Sequence, residues 1–302
     1  MSENHKQLLP KATKEKHDTA PEKASELISA QSTNKAHKPT SSQQFLQLAK
    51  MFSIDGALLP EDKQLVIADR VSRRARNEGI TKQNNIENII KKTVPYCANK
   101  DISTKLDYDW LGRYIELAEG ISNTTMQDLW AKILAGEILR PGSYSYKTIK
   151  LFKEMSIFDA KLLAKACSFS VKDLNNKGVR IISGAYQQTS LFNFLNRDRE
   201  VSLDLSKLGL SYTDILSLSQ NQLIYKQESE STSLSKGESL TFNYSGQNLS
   251  LVSKKSAVSL QFYKFTPIGT ELVQLINSKK DEEYLKALKH SLSAHFQVLS
   301  SN

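Results

Sequence analysis

The chain has 302 residues, a formal net charge of +9, 39% hydrophobic residues and two cysteines. That length leaves room for two ordinary domains, and the apolar share suffices for real cores once a polar N-terminal tail is set aside. No segment approaches the roughly 20 apolar residues of a membrane span, the start Met1-Ser2-Glu3-Asn4-His5-Lys6-Gln7 has no apolar signal region, and Cys97 and Cys167 form no C-x-x-C pair. A cytoplasmic protein with buried free thiols is expected, and its positive charge permits an anionic partner such as nucleic acid without requiring one.

Residues 1–43 are rich in Lys, Ser, Thr, Gln and Asn, with isolated apolar residues such as Leu8, Leu9, Leu27 and Ile28. They bury too little surface to offset chain entropy, so a disordered basic tail is expected. Its lysines alternate with Glu3, Glu15, Asp18, Glu22 and Glu26, which dilutes any grip on phosphates.

Residues 44–170 read as a helical bundle. Phe45, Leu48, Ala49 and Phe52 share one helical face before Gly56; Leu65, Ala68, Ser72 and Ala75 line a second helix that Gly79 can end; Ile86, Ile89 and Ile90 line a third before Pro95, following the 3.6-residue period. The second helix carries Arg70, Arg73 and Arg74 at three- and four-residue spacing, with Arg76 beside them and Lys82, Lys91 and Lys92 beyond. This densest basic cluster is the candidate nucleic-acid surface, although Glu61, Asp62, Asp69 and Glu78 stand ready to pair with it.

The centre of the bundle holds both tryptophans. Asp107 or Asp109 can cap a helix bearing Trp110, with Gly120 to end it; Ser122 or Asn123 can cap the next, whose Met126, Leu129, Trp130, Ile133, Leu134 and Ile138 form an apolar face up to Pro141-Gly142. Glu137 stands on that apolar helix beside Gly136, so a packing pair with Arg113 or Arg140 is expected of it rather than acid–base work. Ile149, Phe152 and Met155 continue a helix, and Ser156 with Asp159 spells a capping box opening another through Leu162, Leu163 and Ala166.

The run Leu129-Trp130-Ala131-Lys132-Ile133-Leu134-Ala135-Gly136-Glu137, then Arg140-Pro141-Gly142-Ser143-Tyr144-Ser145 and Thr148-Ile149, resembles the signature of an uncharacterised bacterial cytoplasmic family known only as a domain of unknown function. Trp110, Trp130, Gly136, Glu137, Pro141 and Gly142 are its structural residues here, and the resemblance covers the middle and C-terminal parts of the chain. A looser pattern, L-W-A-x-x-L-A followed by a helix and Met155-Ser156-Ile157-Phe158-Asp159-Ala160, is similar to Alpha-type abortive-infection (phage-exclusion) factors. Neither resemblance implies a catalytic residue.

Residues 171–278 read as an α+β module. Gly178 to Ile182 suits a strand, Leu191 to Leu195 a helical turn, and Ser211 to Asp214 opens a helix through Ile215, Leu216 and Leu218. Leu223-Ile224-Tyr225 suits a β segment; alternation then marks strands at Leu240 to Tyr244, Leu249 to Leu251 and Leu260 to Phe265, with a turn at Ser245-Gly246. Thr266 and Pro267 suit the N-cap and first position of a further helix. Helix, hairpin and a strand feeding Thr266-Pro267-Ile268-Gly269 resemble the end of a winged-helix domain, in which Lys254 and Lys255 at a hairpin edge are candidates for phosphate contact. Residues 279–302 are expected to close the chain with an amphipathic helix whose Leu285, Leu288, Leu292, Phe296 and Leu299 form a stripe that needs a partner surface, by default the bundle of the same chain and otherwise the equivalent helix of a second copy.

Walker, Rossmann, nucleophile-elbow and zinc-protease motifs are absent, and His290 and His295 are five residues apart, the wrong spacing to share a face. No cofactor, metal or small-molecule substrate is indicated. The expectation is a mainly α protein with a C-terminal α+β part: an irregular bundle followed by a winged-helix-like module. It is expected to act without catalysis through protein–protein contacts or self-association, in phage defence if the looser resemblance holds, with nucleic-acid binding as the alternative.

Overall fold

A computed structural model describes residues 40–98, 105–174, 178–188, 199–276 and 279–301. The described residues divide into two compact units, the first ending at Asn84 and the second beginning at Asn85. Most of the expected tail and the turn at Leu191 to Leu195 lie outside the described residues.

The first unit begins inside the stretch expected to be tail. Thr40 is an N-cap: its hydroxyl accepts from the Gln43 amide while the Gln43 side chain accepts from the Thr40 amide, so this capping box opens α1, Ser41–Met51. Leu46 and Ala49 are its buried residues. Two short 3-10 turns, Asp55–Leu58 and Glu61–Lys63, lead to α2, Ile67–Cys97. Here the structure departs from the two separate helices expected on either side of Gly79. A mid-helix glycine costs only about 1 kcal/mol relative to alanine, and Pro95, which lacks the N–H that would bond the Lys91 carbonyl, stands two residues before the helix ends at Cys97.

The second unit takes up α2 at Asn85. The helices α3, Tyr108–Ala118, and α4, Thr124–Leu139, start where side-chain caps place them, on Asp107 and Asn123. Then come α5, Tyr146–Glu154, capped by Ser145, and α6, Ile157–Ser168, opened by the Ser156–Asp159 capping box. That box, chiefly through the Ser156 hydroxyl, holds the Asp159 carboxyl below its ordinary range. Helix α4 buries Gln127, Trp130, Ala131, Ile133, Leu134, Ala135 and Glu137, too many directions for a surface stripe, and is therefore the core helix. Trp130 is wholly buried. Its ring meets Tyr114 at 5.3 Å and Phe152 at 5.6 Å, and Tyr114 stacks on Trp110 at 5.2 Å. Buried Asn85 joins α2 to this group by donating to the Glu119 carbonyl, and Gln127 donates to both Asn85 and the Ile121 carbonyl, so the polar groups at this junction are matched.

After α6 the chain enters an antiparallel sheet with eight strands among the described residues: β1, Ser170–Asp173; β2, Val179–Gln187; β3, Glu200–Ser202; β4, Ser229–Glu230; β5, Ser239–Tyr244; β6, Gln247–Ser253; β7, Val258–Lys264; and β8, Phe296–Ser301. Their order is β4-β7-β2-β1-β5-β6-β8, with β3 also on β2. A register shift between Ile182 and Gly184 marks a bulge in β2. The β5–β6 turn is the expected Ser245-Gly246, with both residues at positive φ, as a tight primed turn requires. Helix α7, Tyr212–Gln220, opens with a Ser211–Asp214 capping box, and α8, Pro267–Val273, has Thr266 as N-cap and Pro267 in its first turn, as expected.

Two expectations for this unit are corrected. The winged-helix-like module is part of a much larger sheet: β6 pairs with β5 and β8, while β7 lies between β4 and β2, so β6 and β7 form no wing hairpin. Ile224 contributes only an isolated bridge to Phe265. The closing helix ends early: α9 spans Glu282–Ser291, Leu292–Ala294 form a 3-10 turn, and Phe296 and Leu299 stand on β8. Phe296 and Val298 face Ser253 and Leu251 of β6, and the in–out alternation of a half-buried strand suits this segment as well as a helical stripe does.

The two thiols differ in setting. Cys167 is buried in α6, and burial pushes its thiol up to about 12, whereas Cys97 is half-buried. Because the thiolate is the nucleophile, native protein is expected to react with an aromatic disulfide reagent at Cys97 alone and to release a second equivalent of chromophore on unfolding. Two equivalents released at once from native protein would contradict this packing of α6.

Candidate functional site

In the first unit the arginine cluster is partly consumed by its own fold. Arg73 Nη2 lies 2.5 Å from Asp55 Oδ1, and Asn77 donates to the Ser53 hydroxyl at 2.8 Å. The aliphatic stem of Arg70 lies over Gly56, where an added Cβ would come within 2.5 Å of Arg70 Cδ. Arg74 and Arg76 are exposed, but Arg70 and Arg73 act mainly as braces between α2 and the 3-10 turn before it. Asp55, close behind Gly56, is the acid that sequence reasoning did not match to the cluster.

The apolar side chains of this unit are more unusual. Helix α1 exposes Phe45, Leu48, Met51 and Phe52, and the stretch from its end into α2 exposes Ile54, Leu65, Val66, Ile67 and Val71, each at roughly half its area or more, reaching 70% for Met51. Phe45, Leu48 and Phe52 follow the three–four spacing of one helical face. The face expected from the sequence, Phe45, Leu48, Ala49 and Phe52, is split: Ala49 is buried together with Leu46, and the other three are exposed.

In the second unit the signature residues form one construction at the end of α4. Glu137 is buried and pairs with neither arginine. Its carboxylate accepts from the Gly142 amide at 2.6 Å and the Tyr144 amide at 2.9 Å, folding the Arg140–Ser145 loop back over the helix. Gly142 takes φ +86° in that loop, a region glycine enters without strain. Gly136 leaves room for the Tyr144 ring, since an added Cβ would lie 2.7 Å from Tyr144 Cε2. The Tyr144 carbonyl accepts from the Trp110 indole at 2.7 Å, and Glu271 on α8 accepts from the Ser145 amide at 2.7 Å. Arg113 lies instead over the Tyr146 ring, 5.0 Å from its centroid. Tyr144 is thus the hinge of the motif, legible beforehand only as one letter of it.

The remaining candidates are placed as follows. Lys254 follows β6 and donates to the Ser293 carbonyl at 2.7 Å; Lys255 is half-buried beside it, in a different compact unit from the arginines. Leu285, Leu288, Leu292 and Phe296, the expected partner stripe, are all buried in their own unit. Tyr284 anchors that stripe: wholly buried, it stacks on Phe169 at 4.6 Å and donates to the Ile182 carbonyl at 2.9 Å. Lys165 and Asp281 pair at 3.0 Å at the start of α9. With its apolar face already covered, α9 is a core element and not a free helix.

Among the described residues no group of three His, Cys, Asp or Glu side chains could hold a metal ion, and no helix is long and apolar enough to cross a membrane. A family model described as a protein of unknown function, DUF2806, matches residues 69–289. No curated protein and no solved structure matches the chain. The family match bears out the first resemblance, to an uncharacterised domain family, and leaves the likeness to abortive-infection factors a resemblance only.

Proposed function

The chain belongs to the DUF2806 family, whose description assigns it no activity, and from that premise we propose that it works by binding rather than by catalysis, with its first unit serving as a surface for a second copy of the chain. The observation that carries this reading is the exposed apolar surface within residues 45–71. Soluble monomers rarely leave large apolar patches uncovered. Nine large side chains about half exposed, at on the order of 100 Å² each, offer roughly 800–900 Å², about what each partner gives to a standard interface.

A second copy is the occupant that this surface fits best. The spacing of Phe45, Leu48 and Phe52 suits packing of one helix against its symmetry mate, as an isologous interface requires. Exposed charges of both signs stand close by in sequence, Lys50, Lys63 and Arg74 with Glu61 and Asp62, so two-fold pairing can match unlike charges around an apolar centre.

Size exclusion coupled to light scattering tests it. The wild-type chain is expected to run as a dimer, and the triple variant Phe45→Ser, Leu48→Ser, Phe52→Ser as a monomer with its thermal melt retained, because all three side chains are exposed. A wild-type monomer over a wide concentration range, or a triple variant that remains dimeric, overturns the proposal.

A further inference from the structure

The second unit contains a groove, independent of the self-association surface, between the end of α4, β1 and the end of α8. It comprises two adjoining hollows of about 520 and 480 Å³ that share Arg140, Lys172 and Gln274 in their walls, a size typical of small-molecule sites. Arg140 comes from the signature loop that Glu137 folds, and Lys172 from β1, so two separate elements deliver positive charge to one concavity. Neither cation has an ion-pair or side-chain hydrogen-bond partner among the described residues. Of the neighbouring charges, Lys132 pairs with Asp128 at 3.2 Å, while the carboxylates of Glu271 and Glu137 are already engaged by backbone amides, Glu271 by that of Ser145 and Glu137 by those of Gly142 and Tyr144. One hollow adds the hydroxyl-bearing Ser143 and Thr270 to the wall, and the other adds apolar Leu139 and Leu275.

We infer that this groove binds a small organic phosphate, its phosphoryl group held by Arg140 and Lys172 with help from Ser143, Thr270 and Gln274, and its apolar part against Leu139 and Leu275. An arginine fork and a lysine point charge are the side chains suited to phosphate oxygens, and two cations engaged in no ion pair in a concave wall have donors to offer an anion. The half-polar, half-apolar wall excludes inorganic phosphate as the best occupant, because that ion leaves the apolar end wet. The Glu137 construction sets the position of Arg140, which gives the buried signature carboxylate a role at a binding site without touching the ligand.

Calorimetric titration of the full chain tests this with adenosine monophosphate, orthophosphate and uncharged adenosine as probes. Adenosine monophosphate is expected to bind at one site, orthophosphate more weakly, and adenosine not at all at millimolar concentration. Losing one charge-assisted contact lowers affinity by about tenfold or more, so Arg140→Ala and Lys172→Ala are each expected to do so, with the apo melting temperature unchanged. The inference is overturned if neither phosphate probe binds, if adenosine binds as well as its monophosphate, or if both variants bind like the wild type.

Discussion

Replacing Trp130 with alanine is expected to destabilise the second unit by about 3–5 kcal/mol, the cost of emptying a large aromatic site in a packed core. Trp130 has no exposed surface, and its ring is the third of four in the chain Trp110, Tyr114, Trp130, Phe152. Removing it leaves a void bounded by α3 and α5, two helices too short to stand without tertiary contacts. The indole nitrogen has no hydrogen-bond partner, so the loss is one of packing alone. Trp130→Phe, which keeps a ring and discards an unsatisfied donor, should therefore cost much less, about 1–2 kcal/mol. Denaturant melts of both variants measure the difference. Equal losses would mean that the polar edge of the indole matters and that the packing account is wrong.

Glu137→Ala is expected to cost about 3 kcal/mol, for a different reason: it deletes almost no apolar area but strands the buried Tyr144 amide, at about 1–3 kcal/mol, and also removes the charge-assisted bond from the amide of exposed Gly142. Glu137→Gln keeps one acceptor oxygen and should recover about half of that. Because the loop carries Arg140, both variants should also weaken phosphate binding, whereas Trp130→Phe should leave it intact. A Glu137→Ala protein that melts like the wild type would show that the loop holds its shape by other contacts.

Local chemistry made much of the helical part legible in the sequence. Asp107, Asn123, Ser145, Ser156, Ser211, Thr266 and Asp281 each cap a helix with their own side chains, and such caps act within three residues of themselves. Most of them could be read directly. The errors came where partners are distant in sequence. Glu137 has two arginine candidates by charge, Arg113 and Arg140, yet the loop five residues ahead supplies backbone amides, which sequence patterns do not display. Phe296 and Leu299 fit a helical period, and only β6, some 45 residues earlier, decides that they lie on a strand. Phe45, Leu48, Ala49 and Phe52 share a side of α1, but of these only Ala49 is covered, since periodicity shows which residues share a side and not what covers it. Lys172 gave no signal at all: one lysine in a short strand means nothing until Arg140, 32 positions away, lines the same groove.

The central claim is that the first unit, and not the closing helix, carries the contact between copies. Hydrogen–deuterium exchange of the full chain, read by peptide above and below the concentration at which light scattering reports association, tests it most directly. The account predicts slower exchange at high concentration in peptides covering α1 and the first turns of α2, residues 41–74, with α9 and β8 unchanged. Slowing confined to residues 282–301, or no difference anywhere between the two concentrations, would contradict it.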